Sequence, residues 1–290
     1  MAIKAMNVNP KSFTKNQVKF YIILVPLAIF MMLPIVYTFS QALKPIDELI
    51  MFPPRFLVQK PTLKNFTDLF RAASSTGVPM TRYLFNSLVI TIVMITLTLI
   101  ITTSTAYALS KKEFRLKKPL FQVNQIALMF VAVAVMIPRY LMIDTVGLTD
   151  TYLVHVIPYL AMPIGLFLVK QFIDQVPDEL IEAAKLDGAN DWHIMRYIIF
   201  PLIRPALATV AILAFQFIWG NTESSSLYII TETKKTFSFY LTTLTANQAV
   251  SIAGAGMAAA AGLIMTLPNL IIFVILQGQV MDTMSHSGIK

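Results

Sequence analysis

The chain has 290 residues, of which 56% are hydrophobic and only 13% are charged, and it carries a net charge of +8 and no cysteine. Such a composition is too apolar and too poor in charge for an ordinary soluble domain, so we expect an integral membrane protein. The missing cysteines exclude disulfides, thiol nucleophiles and cysteine-ligated metal clusters, and the position of the basic residues near the ends of apolar runs favours membrane topology signals over nucleic-acid contacts.

The first predicted element is an apolar run at 20–42, preceded by a basic tail at 1–19. A basic start before an apolar run is also the pattern of a secretory signal peptide, and Ser40-Gln41-Ala42 offers a small-x-small cleavage site. The run is much longer than the roughly 7–15 apolar residues of a signal peptide. We therefore favour an uncleaved first membrane span.

Five further apolar runs are long enough to be membrane-spanning helices, because a bilayer core of about 30 Å needs about 20 helical residues. The predicted spans are 20–42, 87–109, 121–143, 154–172, 206–227 and 257–276. They leave a long connection at 43–83, a membrane core at 84–280 and a tail at 281–290. Several prolines should kink these helices, namely Pro34, Pro138, Pro158, Pro163 and Pro268. The predicted fold class is an all-α polytopic membrane protein with six transmembrane helices.

The basic residues predict which ends of the spans face the cytoplasm. The short turn SKKEFRLKKP at 110–119, between the second and third spans, is rich in lysine, and so is the tail at 1–19. Both belong on the cytoplasmic side by the positive-inside rule. The connection after the third span holds Asp144 and Asp150 without a neighbouring base, as an outer turn should. Both termini are therefore predicted to be cytoplasmic, and the long loop at 43–83 to lie outside.

A hydrophilic connection at 174–205 separates the fourth and fifth spans. Pro177 suits the first position of a helix, where a missing N–H costs no hydrogen bond, and the acids that follow it complement the helix dipole. Gly188 offers a left-handed stop. The stretch 177–187 is therefore predicted to be a short helix on the cytoplasmic face.

A second short helix should follow at about 192–200. Asn190 or Asp191 can cap its start, and Pro201 and Pro205 should end it. The whole connection is therefore predicted to be a helix-turn-helix hairpin.

The first helix of this hairpin presents Leu180, Ala183, Ala184 and Asp187 on one face, at helical spacing. The two small alanines would let another protein surface approach closely, with Glu182 in the polar rim. The same alanines could instead seat the helix on its own bundle, and periodicity alone favours neither interpretation.

The fifth span changes character part-way along. Residues 206–218 are apolar, but the polar run WGNTESSS follows directly. Gln216, Asn221 and Glu223 are candidates for polar groups at membrane depth, where they should face a protein interior or a water-filled path, because a carboxylate facing lipid costs several kcal/mol. The alternative is that the span ends early, in the headgroup region.

Two kinds of chemistry are missing from the sequence. No GxxxxGK[ST] motif occurs, so the chain has no phosphate-binding loop and should not hydrolyse ATP itself. Its three histidines do not pair at metal-ligand spacing, and no HExxH motif occurs. We therefore predict no catalytic residue, no metal site and no cofactor bound by this chain.

The runs EAAKLDGA at 182–189 and IIFPLIRP at 198–205 resemble the EAA loop in the membrane subunits of binding-protein-dependent ABC importers. From the first span to its end, the chain resembles the smaller permease subunit of maltose-type systems, in the carbohydrate-uptake branch. Further matching pieces are FPPRF at 52–56, LKNF at 63–66, NSL at 86–88, VGLTDT at 146–151 and FIDQVPDELIEAA at 172–184. One departure is Gly220, which separates Trp219 from Asn221 where family members often carry a Trp-Asn-acidic run.

The resemblance implies that the EAA helix inserts into a cleft of a separate cytoplasmic ATPase, which would bind ATP and Mg. The residues implied at this coupling element are Glu182, Ala183, Ala184, Asp187 and Gly188, with Pro177, Pro201 and Pro205 at the helix ends. Those implied in the translocation path are Gln216, Asn221 and Glu223. The implied partners are a second homologous permease, two copies of the ATPase, an extracytoplasmic solute-binding protein, lipid and carbohydrate, in the bacterial plasma (inner) membrane.

The predicted function is therefore a permease subunit of an ATP-driven carbohydrate importer, forming half of the translocation path, and not an enzyme. The tail at 279–290 is similar to that of permeases for complex or acidic oligosaccharides. The alternative is an ion- or proton-coupled carrier, which usually needs ionisable residues at mid-membrane. Arg139, Lys170 and Glu223 are instead expected near the ends of spans.

Overall fold

The computed structural model describes residues 15–71, 77–248 and 252–287. Throughout these ranges the regular structure is helical, and no β-strand occurs in them. This confirms the all-α prediction. The physical reason is that a bilayer offers no water to pair with backbone groups, so each crossing segment must pair its own N–H and C=O groups, as a helix does.

The α-helices in the described ranges are α1 (Lys15–Leu43), α2 (Ile46–Leu49), α3 (Lys64–Arg71), α4 (Met80–Lys111), α5 (Lys117–Ala127), α6 (Met136–Thr145), α7 (Pro163–Asp174), α8 (Asp178–Leu186), α9 (Asp191–Ile194), α10 (Phe200–Leu202), α11 (Arg204–Trp219), α12 (Glu223–Leu227), α13 (Phe237–Gln248) and α14 (Ile252–Ser287). Short 3-10 turns occur at Tyr152–His155, Ile157–Tyr159 and Glu232–Lys234. A single π-helical turn at Met195–Ile199 joins α9 to α10.

Within the described residues, the helices long and apolar enough to cross a membrane are Gln17–Leu43, Met80–Lys111, Arg204–Leu227 and Gly254–Gly278. A fifth crossing results if Tyr152–Tyr159 and Pro163–Asp174, which meet at 49°, are one bent span. These segments correspond to the first, second, fifth, sixth and fourth predicted spans. The prediction of a polytopic helical membrane protein is confirmed at this coarse level.

The predicted third span at 121–143 is not one continuous helix. α5 ends at Ala127, α6 begins at Met136, and the residues between them form turns. Proline explains the break, because inside a helix its ring clashes with the carbonyl four residues earlier, whereas Pro138 in the first turn of α6 breaks no hydrogen bond. Pro163 begins α7 in the same way and interrupts the fourth predicted span.

α4 and α14 make the most extensive contacts with other helices among the described residues. α4 contacts α7, α11 and α13, while α14 contacts α1, α11 and α13. One buried cluster, which includes Tyr107, Ile173 and Ile181, joins the end of α4 to α7 and α8. A second cluster, which includes Tyr83 and Phe237, joins the beginning of α4 to α13 and α14. Both ends of α4 are therefore set in buried cores.

The segment between α1 and α4 folds back onto the end of α1. The amide of Asn65 donates hydrogen bonds to the carbonyls of Ala42 at 3.0 Å and Lys44 at 2.7 Å. The same side chain lies against Gly256 of α14, where an added Cβ would be 2.5 Å from the Asn65 Oδ1. A glycine is needed at this position because only a residue without a Cβ lets the two segments approach so closely.

Candidate functional site

The hydrophilic connection at 174–205 begins with the helix α8, as predicted. Pro177 precedes this helix with extended geometry, at a ψ of 137°, and Asp178 and Glu179 occupy its first turn. Negative charge in a first turn complements the positive end of the helix dipole. The three residues therefore fix where α8 starts.

The end of α8 is set by Gly188, which adopts a left-handed conformation with a φ of +83°. The Gly188 N–H donates to the Lys185 carbonyl at 3.0 Å, and the Ala189 N–H donates to the Ala184 carbonyl at 2.9 Å. This pair of bonds is a Schellman motif, which satisfies carbonyls that the end of a helix leaves without partners. The predicted left-handed stop at Gly188 is confirmed.

The second half of the hairpin starts as predicted, and its two prolines have different positions. The Asn190 Oδ1 accepts a hydrogen bond from the His193 backbone N–H at 2.9 Å and caps α9. The helix continues without a gap through the π-helical turn and α10 to Leu202, so Pro201 lies in its last turn, while Pro205 lies in the first turn of α11. The helix thus ends one residue after Pro201, close to the prediction, whereas Pro205 begins the next helix, because a first turn needs no proline N–H.

The hairpin is seated on the bundle by isoleucines. Ile181, Ile194, Ile199 and Ile203 are buried in the cluster that holds Tyr107 of α4. They face inward because their spacing follows the helical turns, which places an apolar stripe against the core. The hairpin is therefore packed against the ends of α4 and α7 and does not extend freely into solvent.

The two alanines of α8 have different surroundings. Ala184 is half-buried and packs against the same cluster, whereas Ala183 is exposed. Glu182, Asp187 and Gly188 are exposed as well. The structure thus combines the two interpretations left open by periodicity, because Ala184 seats the helix and the other four candidates lie on its open surface.

A shallow groove accompanies this open surface. It has a volume of about 450 Å³, and the residues that line it are Ala184, Asp187, Gly188, Ala189, His193, Ile194, Tyr197 and Ile198. Leu186 beside it is 90% exposed, and Trp192 and Tyr197 are also largely exposed. Apolar and aromatic side chains held outward on a packed hairpin are typical of a protein-binding surface.

Two consecutive lysines at the end of α4 bind the first residues of the two hairpin helices α8 and α9. The Lys111 Nζ donates to the Asp178 Oδ1 at 2.8 Å and to the Val176 carbonyl at 2.5 Å. The Lys112 Nζ donates to both carboxylate oxygens of Asp191, at 2.6 and 2.7 Å. From sequence these lysines are predicted only as topology signals. An acid at the start of each hairpin helix is the pattern that could have suggested the pairs.

The electrostatics of the hairpin follow from these contacts. The hydrogen bond from Lys111 lowers the pKa of Asp178 below its ordinary value, and the hydrogen bond from Lys112 does the same for Asp191. Both carboxylates are therefore charged at neutral pH, as the pairing requires.

A second candidate site lies where three of the predicted spans are interrupted. The guanidinium of Arg139, at the start of α6, donates to the Glu223 Oε1 at 2.8 Å. The Tyr228 hydroxyl donates to the same oxygen at 2.8 Å. The Arg139 guanidinium also lies 5.0 Å from the ring centroid of Tyr159, a cation–π distance. The pairing of Arg139 with Glu223 is not predicted from the sequence.

Each residue of this cluster is next to a break in its span. Arg139 follows the turns at 128–135, Tyr159 precedes the break at 160–162, and Glu223 follows the break at 220–222. Cavities of about 240 Å³ and 190 Å³ both border the middle break, and they share Ala161, Met162 and Pro163 in their walls. Irregular backbone at membrane depth is tolerated where it is buried in protein or lines a water-filled cavity.

The other two path candidates have different surroundings. The Asn221 Oδ1 accepts hydrogen bonds from the Ser224 backbone N–H at 3.0 Å and from its hydroxyl at 2.9 Å, so it caps α12. Gln216 lies exposed on α11, one turn before the break. The structure therefore brings Glu223 and Asn221 to the cluster of breaks, with Gln216 at its edge.

Residues 101–280 match the family model described as the binding-protein-dependent transport system inner membrane component. The chain belongs to this family. It is therefore a membrane component of a transport system, located in the inner membrane, and not an enzyme.

Individual relatives agree with this assignment. The chain is 26% identical to the trehalose transport system permease protein SugB of Mycobacterium tuberculosis, over 89% of this chain and 92% of that protein. It is also 31% identical to the sn-glycerol-3-phosphate transport system permease protein UgpE of Rhizobium meliloti, over 66% of this chain and 68% of that protein. Both relatives are permease proteins by name.

A solved structure shares the fold. It is that of a bacterial ABC transporter involved in the import of the acidic polysaccharide alginate, with a TM-score of 0.77 and 21% identity, covering 93% of this chain and 99% of that one. At this level of identity the likeness shows a common arrangement of helices.

Proposed function

We propose that the chain is one of two permease subunits of an ATP-driven, binding-protein-dependent importer of carbohydrate, and that it forms half of the translocation path. Membership of the family supports the binding-protein dependence. The names of relatives support the substrate class, since they include permeases for trehalose, for galactooligosaccharides, and for melibiose, raffinose and stachyose. We infer an oligosaccharide as the substrate.

The topology that we propose has six crossings with both termini in the cytoplasm. α5 and α6 together make the third crossing, and the segments around 160–162 make the fourth. The lysine-rich end of α4 supports a cytoplasmic position for the hairpin at 174–205 through the positive-inside rule. Glu223, in this arrangement, is near the outer part of the fifth crossing.

The main support for the proposal is that one side of the hairpin is buried against the bundle and the other side is exposed. Its inner side is buried in the cluster of Ile181 and Ile194, while Glu182, Ala183 and Gly188 lie open beside a groove. This surface is firmly attached to the membrane helices and is also open to the cytoplasm. A protein that binds it could therefore move the membrane helices when it changes conformation. We propose that a cytoplasmic ATPase, holding ATP and Mg, is that protein.

The breaks in three spans support the position of the path. Discontinuous helices near the middle of a bilayer commonly form the substrate sites of transporters, because they bring free backbone groups to a cavity. Here the breaks meet at Arg139, Tyr159 and Glu223. Aromatic and charged groups of this kind can contact a sugar during passage.

The exposure of the first break supports a second permease. Most of residues 128–135 are exposed, including Met129, Phe130 and Val131. Turns facing lipid would leave backbone groups without partners, which costs several kcal/mol for each group. A homologous subunit packed against this face would remove that cost and close the path. A solute-binding protein is then expected on the outer side.

One experiment separates this proposal from the ion-coupled carrier. The purified complex is reconstituted in liposomes with the solute-binding protein and labelled oligosaccharide. We expect uptake to stop when the ATPase is inactivated and to persist when the proton gradient is dissipated. Uptake that needs the gradient, and that continues with an inactive ATPase, would contradict the proposal.

A further inference from the structure

The end of α4 is attached to both helices of the hairpin. Lys111 binds the first residue of α8 and Lys112 the first residue of α9, and the side chain of Lys111 is only 7% exposed. The Tyr107 hydroxyl, one turn earlier, donates to the Asp191 Oδ1 at 3.2 Å. Because the starts of α8 and α9 are both tied to this one helix, a displacement of the hairpin should move the end of α4.

The beginning of α4 is attached in a similar way to the segment 231–237, which lies between the fifth and sixth predicted spans. The Asn86 amide donates to the carbonyls of Thr233 at 2.8 Å and Lys235 at 2.9 Å. The Tyr83 hydroxyl donates to Glu232 at 2.6 Å. The Ser87 hydroxyl accepts from the backbone N–H at position 237, at 2.8 Å. All three α4 side chains are buried.

The segment 231–237 is itself braced against the turn that follows α6. Asp150 accepts hydrogen bonds from the Thr231 backbone N–H at 2.9 Å and from its hydroxyl at 2.6 Å, and it pairs with Lys234 at 3.1 Å. In the proposed topology this braced segment faces the side where the binding protein docks. α4 therefore ends in a firm contact on each side of the membrane.

Between these ends α4 is uninterrupted. Its 32 residues contain neither proline nor glycine, and Asn86 and Lys111 lie about 37 Å apart along the axis at about 1.5 Å per residue. The other spans in the described part of the chain are weakened by internal prolines or by breaks. Prolines and broken hydrogen-bond ladders are where helices bend, so α4 is the stiffest connection across the bundle.

We propose that α4 is a rigid strut that transmits movement between the cytoplasmic hairpin and the segment 231–237, with Lys111 and Lys112 as the positioning residues at one end and Asn86 and Ser87 at the other. The proposal rests on the proposed function. It adds that docking of the binding protein outside and closure of the ATPase inside are linked through this one helix. Linkage of this kind is reciprocal, so each event must favour the other by the same factor.

The test uses the reconstituted complex and measures the ratio of ATP hydrolysis with the loaded binding protein to hydrolysis without it. The inner contacts are removed by Lys111→Met with Lys112→Met, and the outer contacts by Asn86→Ala with Ser87→Ala. We expect either pair to lower the ratio by about fivefold or more, the lower end of typical allosteric coupling. The matched control is Arg115→Met with Lys118→Met, which removes two basic side chains that are exposed in the same turn after α4.

Two further variants separate transmission from a loss of packing. The exchange Lys112→Asp with Asp191→Lys restores the ion pair with the charges reversed. We expect Asp191→Lys alone to lower the hydrolysis ratio and the double exchange to restore most of it. The change Thr96→Gly with Leu97→Gly leaves both ends intact and softens only the middle of α4, at exposed positions. We expect it to lower the ratio, whereas Ile29→Gly with Phe30→Gly in α1 should not.

The outcomes are distinguishable from a failure of the proposed function. If the unaltered complex shows no stimulation by the binding protein, the proposed function is contradicted. If it is stimulated, and the lysine, asparagine–serine and glycine variants assemble with the ATPase and keep the full ratio, the strut is contradicted. A ratio that falls in these variants and stays unchanged in the controls supports it.

Discussion

Gly188 controls the geometry of the hairpin at the scale of a single residue. Its φ of +83° is a conformation that side chains with a Cβ rarely adopt, yet no atom lies within 4 Å of the place where a Cβ would be. The restriction is therefore one of backbone strain and not of space. A left-handed conformation costs a non-glycine residue about 1–2 kcal/mol.

We expect Gly188→Val to disturb the turn and to weaken both ATPase binding and transport, while the protein still inserts. The matched control is Gly188→Asn, since asparagine tolerates the left-handed region, and it should keep most of the activity. Co-purification of the ATPase and uptake in liposomes are the measurements. A valine variant that binds the ATPase and transports like the unaltered protein would show that the turn does not contribute to coupling.

Gly256 is restricted by space instead. We expect Gly256→Ala to destabilise the protein by about 1–3 kcal/mol, because the new Cβ would collide with the Asn65 side chain and push α14 away from α3. Gly262→Ala on the same helix is the control, since nothing lies within 4 Å of its added Cβ. Alanine there should be neutral or slightly stabilising. Thermal unfolding in detergent compares the two, and equal effects would contradict the close contact.

At the scale of the element, the hairpin is held by a buried apolar side and by two charged attachments. Exposed ion pairs contribute little, about 0–1 kcal/mol each, so the isoleucines around Ile181 and Ile194 provide most of the attachment. The ion pairs with Lys111 and Lys112 determine the orientation of the hairpin relative to α4, since each pair fixes the start of one hairpin helix. Stability and orientation of the hairpin thus depend on different residues.

The charged attachments predict a pH dependence. Asp178 and Asp191 have pKa values below the ordinary value of 3.8 in the folded protein. Their contribution is therefore present at pH values above the ordinary pKa and is lost only as the pH falls through the lowered values. We expect hydrogen exchange of α8 and α9 to be constant from about pH 5 to pH 8, apart from the intrinsic rate, and to rise in more acidic solution.

The substitution Asp191→Asn mimics the protonated state and should increase the exchange of α9 at neutral pH. Glu113→Gln is the control, because Glu113 is an exposed acid that pairs with Lys117 and not with the hairpin. Unchanged exchange in the Asp191 variant would mean that the apolar side alone holds α9.

At the scale of the whole molecule, three of the predicted spans are interrupted at positions that meet in space. Arg139 and Glu223 are 21% and 26% exposed and belong to different spans, yet their charged groups are 2.8 Å apart. Most of this cluster is out of water, so removing one charge leaves the other without a partner. The pair therefore joins the breaks of the third and fifth spans.

We expect Glu223→Leu to destabilise the protein by about 1–3 kcal/mol, because it leaves the Arg139 charge largely buried and unpaired. Arg139→Leu combined with Glu223→Leu should recover much of this loss, since apolar replacement of both partners of an ion pair is often nearly neutral. Thermal unfolding of the single and double variants measures the coupling. A single variant more stable than the unaltered protein would support an early end of the fifth span and no role in the path.

The sequence determined those features that depend on near neighbours along the chain. The uninterrupted apolar run of α4, the Schellman turn at Gly188 and the cap at Asn190 could all be predicted, because each rests on the properties of a few consecutive residues. The family resemblance came from the same local runs. Composition alone was enough to indicate a membrane protein.

Only the tertiary structure decided which side chains meet. Lys111 and Asp178 are 67 positions apart, and Arg139 and Glu223 are 84 apart, and periodicity carries no information about such distant contacts. The prediction that Pro205 ends a helix was wrong for the same reason. A proline ends one helix or begins the next according to how the chain beyond it is packed, and that packing depends on the whole bundle.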